Sequence, residues 1–376
     1  MDYVKLIADE VSLGMTLPWT VYDRHHRLLM KQGDTVTTGR QLNVLLGQGY
    51  RPFAPLAPER RREPTLSQLL GDAANSFSTV STYANYLHKI FTRLHDGNPA
   101  ALPRIDELTA HIQQACAADV DAILGAVHLH HDTPYSTWHP LYIALLCELI
   151  MKHLEYPPKE RKTVLKAALT CNIAIIDLQE TLYRHQGPLN DEQSQAVHEH
   201  CEKGVAMLRA AGVDDPLWLD LVLQHHEKIN GSGYPCALVK DDIHLEARII
   251  SLADRYSAMI TGRAYRSGMP SHRALRELFL GKGEEYDEHL AVSFIKELGV
   301  YPPGTFVRLA NGETAVVIRR THDTSHPIVR SVVTAQGSLF SRPLRRDCSL
   351  PINAIVASCG DDVTLQVPLH TLWYTS

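Results

Sequence analysis

The stretch HHEKINGSGYP, residues 225–235, decides how this chain is interpreted. Two adjacent histidines and a glutamate stand directly ahead of a turn that carries Gly231, Gly233 and Pro235. Imidazole nitrogens are common metal ligands, and closely spaced glycines let a chain turn tightly. The pattern therefore indicates either a metal site beside a loop or an ordinary helix end followed by a turn.

Histidines and an acid on both sides of this stretch bear on the choice. NDEQSQAVHEHCEKGVAMLRAAG (190–212) has a helical period and places His200 on its apolar stripe. LEARIISLADRYSAMITG (245–262) predicts a second helix, with Asp254 beside its apolar face. A buried charge needs a partner, and several imidazoles with a carboxylate could share a cation. The chain has 21 histidines, so some of them are close in sequence by chance. The spacing alone therefore fits a metal site and a metal-free site equally well.

The stretch 225–235 resembles the signature H-H-E-x-x-D-G-x-G-Y-P of the HD-GYP family, with Asn230 in place of the aspartate. This family consists of helical, metal-dependent phosphodiesterases that open the bacterial second messenger cyclic di-GMP. Three further segments are similar to the family: YSTWHPLYIALL (135–146), the helix around His200, and LEARIISLADRYSAMITGRAYR (245–266). The resemblance covers about residues 130–300.

The resemblance implies a divalent metal, iron or manganese, with zinc as the alternative. It implies metal ligands at His139, His200, His225, His226 and Asp254. It implies substrate contacts at Gly233, Tyr234, Pro235, Arg263 and Arg266. It also implies two partners: cyclic di-GMP itself, and the diguanylate cyclases (GGDEF proteins) that make it, which would dock on the GYP loop (residues 230–238).

The pattern breaks where the family has its namesake His-Asp pair. In CNIAI (171–175), Cys171 stands for the histidine, Asn172 for the metal-bridging aspartate, Ala174 for a glycine and Ile175 for a lysine. Asparagine lacks the charge that bridges two divalent ions, and activation of a metal-bound water depends on that charge. Tyr135 stands where some members have another carboxylate ligand, so a third metal is not expected. No residue is therefore assigned a catalytic role.

Three interpretations are open, and the sequence favours the first. In the first, the degenerate site hydrolyses cyclic di-GMP weakly or not at all and has a regulatory role in binding nucleotide or protein. In the second, an active phosphodiesterase has an altered metal centre, with the Cys171 thiolate in place of an imidazole or with Asp177 as a ligand. In the third, the histidines are relics in a purely structural domain.

The chain as a whole predicts a mainly α fold, and the resemblance implies that its helices form an HD-type bundle. A small mixed α/β module is expected at the N-terminus and a strand-rich extension at the C-terminus. The expected boundaries are 1–55 for the module, 56–125 for a linker and connecting helices, 126–300 for the HD-GYP-like domain, and 301–376 for the extension. The proline-rich stretch 52–65 favours a linker.

Local patterns predict individual elements within these segments. HPLYIALLCELIMKHLEYPP (139–158) predicts a buried helix with Pro140 in its first turn. Asn311 and Gly312 predict a hairpin, and the tail through VTLQVPLHTLWY (363–374) predicts further short strands. The helix period before about residue 300 gives way to strand patterns after it.

Composition restricts the partners and the compartment. A net charge of -5 and a pI of about 6.5 argue against binding to a nucleic-acid polymer. Seven cysteines without a C-x-x-C pair predict reduced thiols rather than disulfides or a zinc knuckle. The N-terminus lacks the layout of a signal peptide, and LYIALLCELIM (141–151) is too short to span a bilayer. We therefore expect a cytoplasmic protein without membrane insertion.

Overall fold

The computed structural model describes residues 3–7, 10–52, 64–71, 75–129, 133–185, 187–261, 268–359 and 369–373. Contacts divide the chain into two compact units, Met1–Pro64 and Thr65–Ser376. Most of the predicted linker lies outside the described residues. The four segments expected from the sequence stay a prediction.

The first unit is a small α/β module. Its elements are β1 Tyr3–Lys5, β2 Val21–Tyr22, β3 Leu28–Met30, α1 Gly39–Gln48 and β4 Tyr50–Pro52. The antiparallel sheet has the strand order β1-β4-β2-β3. A capping box of Thr38 and Gln41 begins α1. Leu6, Val21 and Leu45 are in its buried core, and the predicted mixed α/β module is confirmed.

The second unit is helical up to residue 298. Its helices are α2 Leu66–Leu70, α3 Ser76–His95, α4 Leu102–Leu129, α5 Tyr135–His153, α6 Pro158–Thr170, α7 Ile176–Arg184, α8 Asp191–Ala210, α9 Pro216–Gln224, α10 Leu245–Ile260, α11 Ser271–Leu280 and α12 Glu288–Leu298. One large apolar core runs through these helices. The predicted mainly α fold is confirmed.

Helix α5 is the central helix of this unit. Every residue from Ser136 to Met151 is buried, as its apolar sequence predicted. The position of Pro140 was predicted wrongly, because the helix begins at Tyr135 and the proline lies in the second turn. A proline there removes one helical hydrogen bond and costs about 3 kcal/mol. Burial of the residues on all sides of α5 outweighs that cost.

Helices α8, α9 and α10 carry most of the residues that the motif singled out. Asn190 and Gln193 form the predicted capping box of α8. The Asp215 carboxylate accepts hydrogen bonds from two backbone N–H groups at the start of α9. That helix ends at Gln224, so the paired histidines follow directly on its last turn.

The C-terminal part is a five-stranded antiparallel sheet. Its strands are β5 Phe306–Leu309, β6 Thr314–Arg319, β7 Ile328–Val333, β8 Leu339–Asp347 and β9 Ile355–Ser358, in the order β8-β7-β6-β5-β9. β5 and β6 pair across the predicted hairpin, where Gly312 has a φ of 84°. The predicted strand-rich extension is confirmed.

Of the predicted strand stretch 363–374, residues 363–368 and 374 lie outside the described residues, and residues 369–373 do not form a strand. Leu369–Leu372 is a 3₁₀ turn, which places Leu369 and Leu372 in one apolar cluster between the sheet and the helices. Trp373 donates its indole N–H to the Ile318 carbonyl at 2.8 Å. Its ring lies so close to Gly125 of α4 that a Cβ on that glycine would overlap it. Packing of two leucines and a tryptophan on a helix explains why the strand prediction was wrong here.

Two ion pairs also join the sheet to α4. Arg319 contacts Asp119 at 3.0 Å, and Arg320 contacts Asp121 at 2.5 Å. Asp119 interrupts the helix, with φ -157° and ψ 89°, and its carboxylate accepts a hydrogen bond from the Ala122 N–H. The sheet therefore contacts α4 at its kink. In the described part of the chain, no helix is both long enough and apolar enough to cross a membrane.

Candidate metal centre

Three imidazoles meet where α8 faces the end of α9. His200 comes from α8, and His225 and His226 follow α9 directly. One ligand nitrogen from each lies within 4.8 Å of the others. His200 and His225 are fully buried, and His226 is half-buried. These residues are called the histidine cluster below.

The backbone fixes the tautomer of two of these rings. The Nδ1 atom of His200 lies 2.6 Å from the Val197 carbonyl oxygen, and that of His225 lies 2.7 Å from the Val222 carbonyl oxygen. A carbonyl only accepts, so each Nδ1 carries the proton and donates it. Each neutral ring then has a bare lone pair on Nε2.

The two Nε2 atoms face each other at 3.2 Å. Two lone pairs at that distance repel, and the Cys201 thiol, 3.7 Å from His200 Nε2, is only a weak donor. Burial lowers the pKa of both His200 and His225, so a shared proton does not solve the conflict at neutral pH. Burial also lowers the pKa of His226 to about 4. The donor set fits a metal cation.

The spacing agrees with this conclusion. Two imidazoles that bind one ion at about 2.1 Å would hold their nitrogens about 3.0 to 3.4 Å apart. The observed 3.2 Å lies within that range. Neutral imidazole ligands suit zinc and iron alike, so the cluster does not select between these two metals.

His139 and Asp254 form a second group, joining α5 to α10. His139 Nε2 lies 2.9 Å from the Asp254 carboxylate, and His139 Nδ1 lies 2.9 Å from the Ser257 hydroxyl. Burial alone would raise the pKa of Asp254, but the hydrogen bond with His139 and the electrostatic influence of the neighbouring imidazoles hold it well below its ordinary value. The carboxylate is therefore ionised beside the histidine cluster.

All five predicted ligands are in one region, but they form two groups. The histidine cluster is ready to bind an ion, whereas His139 and Asp254 bond each other. Their role as ligands stays a proposal. Asp177, considered as a substitute ligand, is exposed in the first turn of α7.

Two glycines allow the GYP loop to turn back on the end of α9. Gly231 has a φ of 78°, a conformation that side chains disfavour. At Gly233 a Cβ would lie 2.5 Å from the Glu227 Cα and 2.6 Å from the His226 carbonyl oxygen, so only glycine fits. The Asn230 side chain accepts hydrogen bonds from the backbone and hydroxyl of Ser232. A turn former in place of the family's aspartate therefore keeps the local structure.

The GYP loop contacts the histidine cluster through Tyr234. The Tyr234 ring stacks on the His226 ring, with centroids 4.8 Å apart and an interplanar angle of 28°. Glu227, buried beneath the loop, accepts hydrogen bonds from the Cys236 N–H at 2.7 Å and the Leu238 N–H at 3.0 Å. Glu227 thus positions the loop and, in this arrangement, does not act as a metal ligand.

We expect Glu227→Gln to loosen the GYP loop. The amide nitrogen would face a backbone N–H in place of an accepting oxygen, and an unsatisfied buried donor costs about 1–3 kcal/mol. Amide hydrogen exchange at Cys236 and Leu238 should accelerate, while Glu202→Gln, which changes an exposed glutamate of α8, should leave it unchanged. Unchanged exchange in Glu227→Gln would contradict the anchoring role.

The segment that replaces the His-Asp pair is buried, and two of its side chains form hydrogen bonds with residues nearby in the chain. Cys171 is fully buried and its thiol donates to the Ala168 carbonyl at 3.4 Å. The Asn172 amide donates to the Cys171 sulfur at 3.5 Å. Ile175 is 8% exposed. Burial, and then the Asp254 charge, raise the pKa of Cys171 well above its ordinary value, so the residue is a neutral thiol.

Sequence reasoning missed two positioning residues. Glu227 was quoted in the motif without a role, although its place directly after two candidate ligands was a signal. Ser257 lies one helical turn after Asp254, and that spacing could have indicated it. Arg263 and Arg266 lie outside the described residues.

Comparisons with known proteins relate part of this chain to a protein family. Residues 107–290 match the family model described as HD domain. A cyclic di-GMP phosphodiesterase of Pseudomonas aeruginosa is 29% identical over 216 residues, which are 57% of this chain and 51% of the relative. A 3'3'-cGAMP-specific phosphodiesterase of Vibrio cholerae is 30% identical over 143 residues, covering 38% of this chain and 31% of the relative. The match thus spans about half of the first relative and less of the second.

A solved structure shows the same fold. An HDG"Y"P protein from Bdellovibrio bacteriovorus superposes with a TM-score of 0.50, covering 78% of this chain and 98% of that protein. The two sequences are 16% identical, so this likeness concerns the fold alone.

Proposed function

Because the chain belongs to the HD-GYP family, we propose that it acts in cyclic di-GMP signalling as a regulatory protein. In this role it binds a divalent metal and the cyclic dinucleotide but hydrolyses the dinucleotide slowly or not at all. The observation that carries the proposal is the contrast between an intact histidine cluster and a neutral, inward-facing Asn172.

In this proposal His200, His225 and His226 hold the ion through their nitrogens. Asp254 contributes the negative charge beside them, and Ser257 orients His139 through its hydrogen bond to Nδ1. When bound, the ion supplies positive charge that attracts a phosphodiester. Iron or manganese is the expected metal, with zinc as the alternative.

Weak hydrolysis follows from what replaces the His-Asp pair. Asn172 is neutral and its amide is committed to the Cys171 sulfur. Ile175 offers no cation to a phosphate. A positioned charge typically changes turnover by about 10²–10³-fold, so the absence of a bridging carboxylate and a lysine leaves slow chemistry at most.

A second candidate is an active phosphodiesterase with an altered centre. The observation that favours it is that all five ligand positions keep ligating side chains in one region. The buried, neutral Cys171 thiol gives little support to a thiolate ligand. Asp254 is then the residue on which such activity would most depend.

The proposal extends to protein partners and location. Asn230, Ser232 and Cys236 of the GYP loop are exposed, and exposed loops on a rigid scaffold often carry binding functions. We expect GGDEF proteins to dock on this loop and the protein to be cytoplasmic.

The test measures binding and turnover on the same preparation. Protein loaded with iron or manganese should bind cyclic di-GMP in calorimetry, yet release linear product at least about 10²-fold more slowly than a family member with a complete His-Asp pair. Robust metal-dependent turnover that Asp254→Ala abolishes would establish the second candidate. Absence of cyclic di-GMP binding would refute the proposal.

A further inference from the structure

Three planar rings in contact lead outward from the histidine cluster, the inner pair stacked and the outer pair tilted, and they are called the stack below. The innermost is His226, and Tyr234 of the GYP loop stacks on it. His198 of α8 lies on Tyr234, with ring centroids 4.6 Å apart and an interplanar angle of 42°. The stack thus joins a candidate metal ligand to the protein surface.

The positions within this stack decide which ring is available to a ligand. Tyr234 has ring contacts with His226 and with His198, and it is half-buried. His198 is exposed. The outermost ring is therefore the one to which a further planar group can add.

A planar imidazole at the mouth of a phosphate site has a specific use. Nucleotide bases bind to proteins by stacking on aromatic rings, and every base has a π face that such a ring can contact. His200 and His225 are buried, so a dinucleotide whose phosphodiester is held at the histidine cluster would extend its bases toward the surface. His198 lies two residues before His200 on the same helix, on the side where the stack reaches the surface.

We propose that His198, supported from beneath by Tyr234, is the stacking surface for a guanine base of the cyclic dinucleotide. The inference rests on the proposed function, because it needs a dinucleotide at the histidine cluster. His198 lies outside the GYP motif and is not one of the predicted metal ligands. The role is specificity and affinity for a base, since His198 is exposed and is not part of the histidine cluster.

The test separates base binding from phosphate binding. Metal-loaded wild type, His198→Ala and His198→Phe are titrated with cyclic di-GMP and with inorganic phosphate, which has no base. His198→Ala should bind cyclic di-GMP about 5- to 150-fold more weakly, the range measured for loss of one base–aromatic stack. His198→Phe should keep most of the affinity because it keeps the planar ring. Phosphate affinity and metal content should be equal in all three proteins.

A matched control is His289→Ala, which removes an exposed histidine from α12 and should bind like wild type. Equal affinity of wild type and His198→Ala for cyclic di-GMP would overturn the inference alone. An equal loss in His198→Ala and His198→Phe would also overturn it, because stacking would then not be the cause. If wild type itself bound no cyclic di-GMP, the proposed function would fail and the inference with it.

Discussion

Replacement of both His225 and His226 by alanine should leave a protein that purifies with almost no bound metal, where wild type retains one ion or a weakly held pair. The double change removes two of the three nitrogens of the histidine cluster. Loss of even an indirect contact to a metal typically lowers affinity about 10–100-fold, so loss of two direct ligands should exceed that range. Elemental analysis of protein prepared without chelator measures the outcome.

Thermal unfolding gives a second readout for this prediction. A ligand that binds only the folded state raises the melting temperature, so added metal should stabilise wild type but not the double variant. Without metal, the double variant lacks the repulsion between the lone pairs of His200 and His225, so electrostatics should not lower its stability. His289→Ala with His322→Ala removes two exposed histidines as a control. Equal metal content in wild type and His225→Ala, His226→Ala protein would end the assignment.

Cys171→His combined with Asn172→Asp should raise metal occupancy and begin to restore hydrolysis. Asparagine and aspartate are nearly isosteric, so the change at position 172 preserves packing and adds the charge that can bridge two ions. The imidazole introduced at position 171 is larger than the thiol that it replaces in a fully buried site. Overpacking of this kind costs about 1–3 kcal/mol, which bound metal should offset.

Addition of Ala174→Gly and Ile175→Lys should increase turnover further, by about 10²-fold or more. A cation positioned near the reacting phosphate acts mainly on the transition state, so the gain should appear in kcat more than in affinity. Metal content and cyclic di-GMP hydrolysis across wild type, double and quadruple variants test this. As a control, Asn230→Asp restores the other departure from the family motif without adding charge at the centre. A folded quadruple variant that gains neither metal nor activity would show that CNIAI does not occupy the place of the His-Asp pair.

Local chemistry explains why much of the fold could be predicted. Capping residues such as Asn190 act within one turn of chain, so their effect is visible in a short sequence window. The hairpin at Asn311 and Gly312 is equally local. The start of α5 could not be predicted in this way, because burial by the surrounding helices decides it rather than Pro140 itself.

The candidate site likewise has some features that a short sequence window indicates and others that depend on the folded chain. The motif indicated that His225 and His226 act together, since they are adjacent. The bond between His139 and Asp254 joins residues 115 positions apart, and no local pattern predicts it. The tautomer of His200 depends on the direction of a backbone carbonyl. Such facts follow only from the folded chain, and they supply the argument for a cation.

The contact between Gly125 and Trp373 has an evolutionary consequence. A side chain at position 125 would overlap the indole at position 373, so Gly125 can be replaced only if Trp373 changes as well. Arg319 and Arg320 depend on Asp119 and Asp121 in the same way. Among descendants of this sequence these positions should therefore covary, and the extension should be inherited with the helices rather than exchanged between proteins.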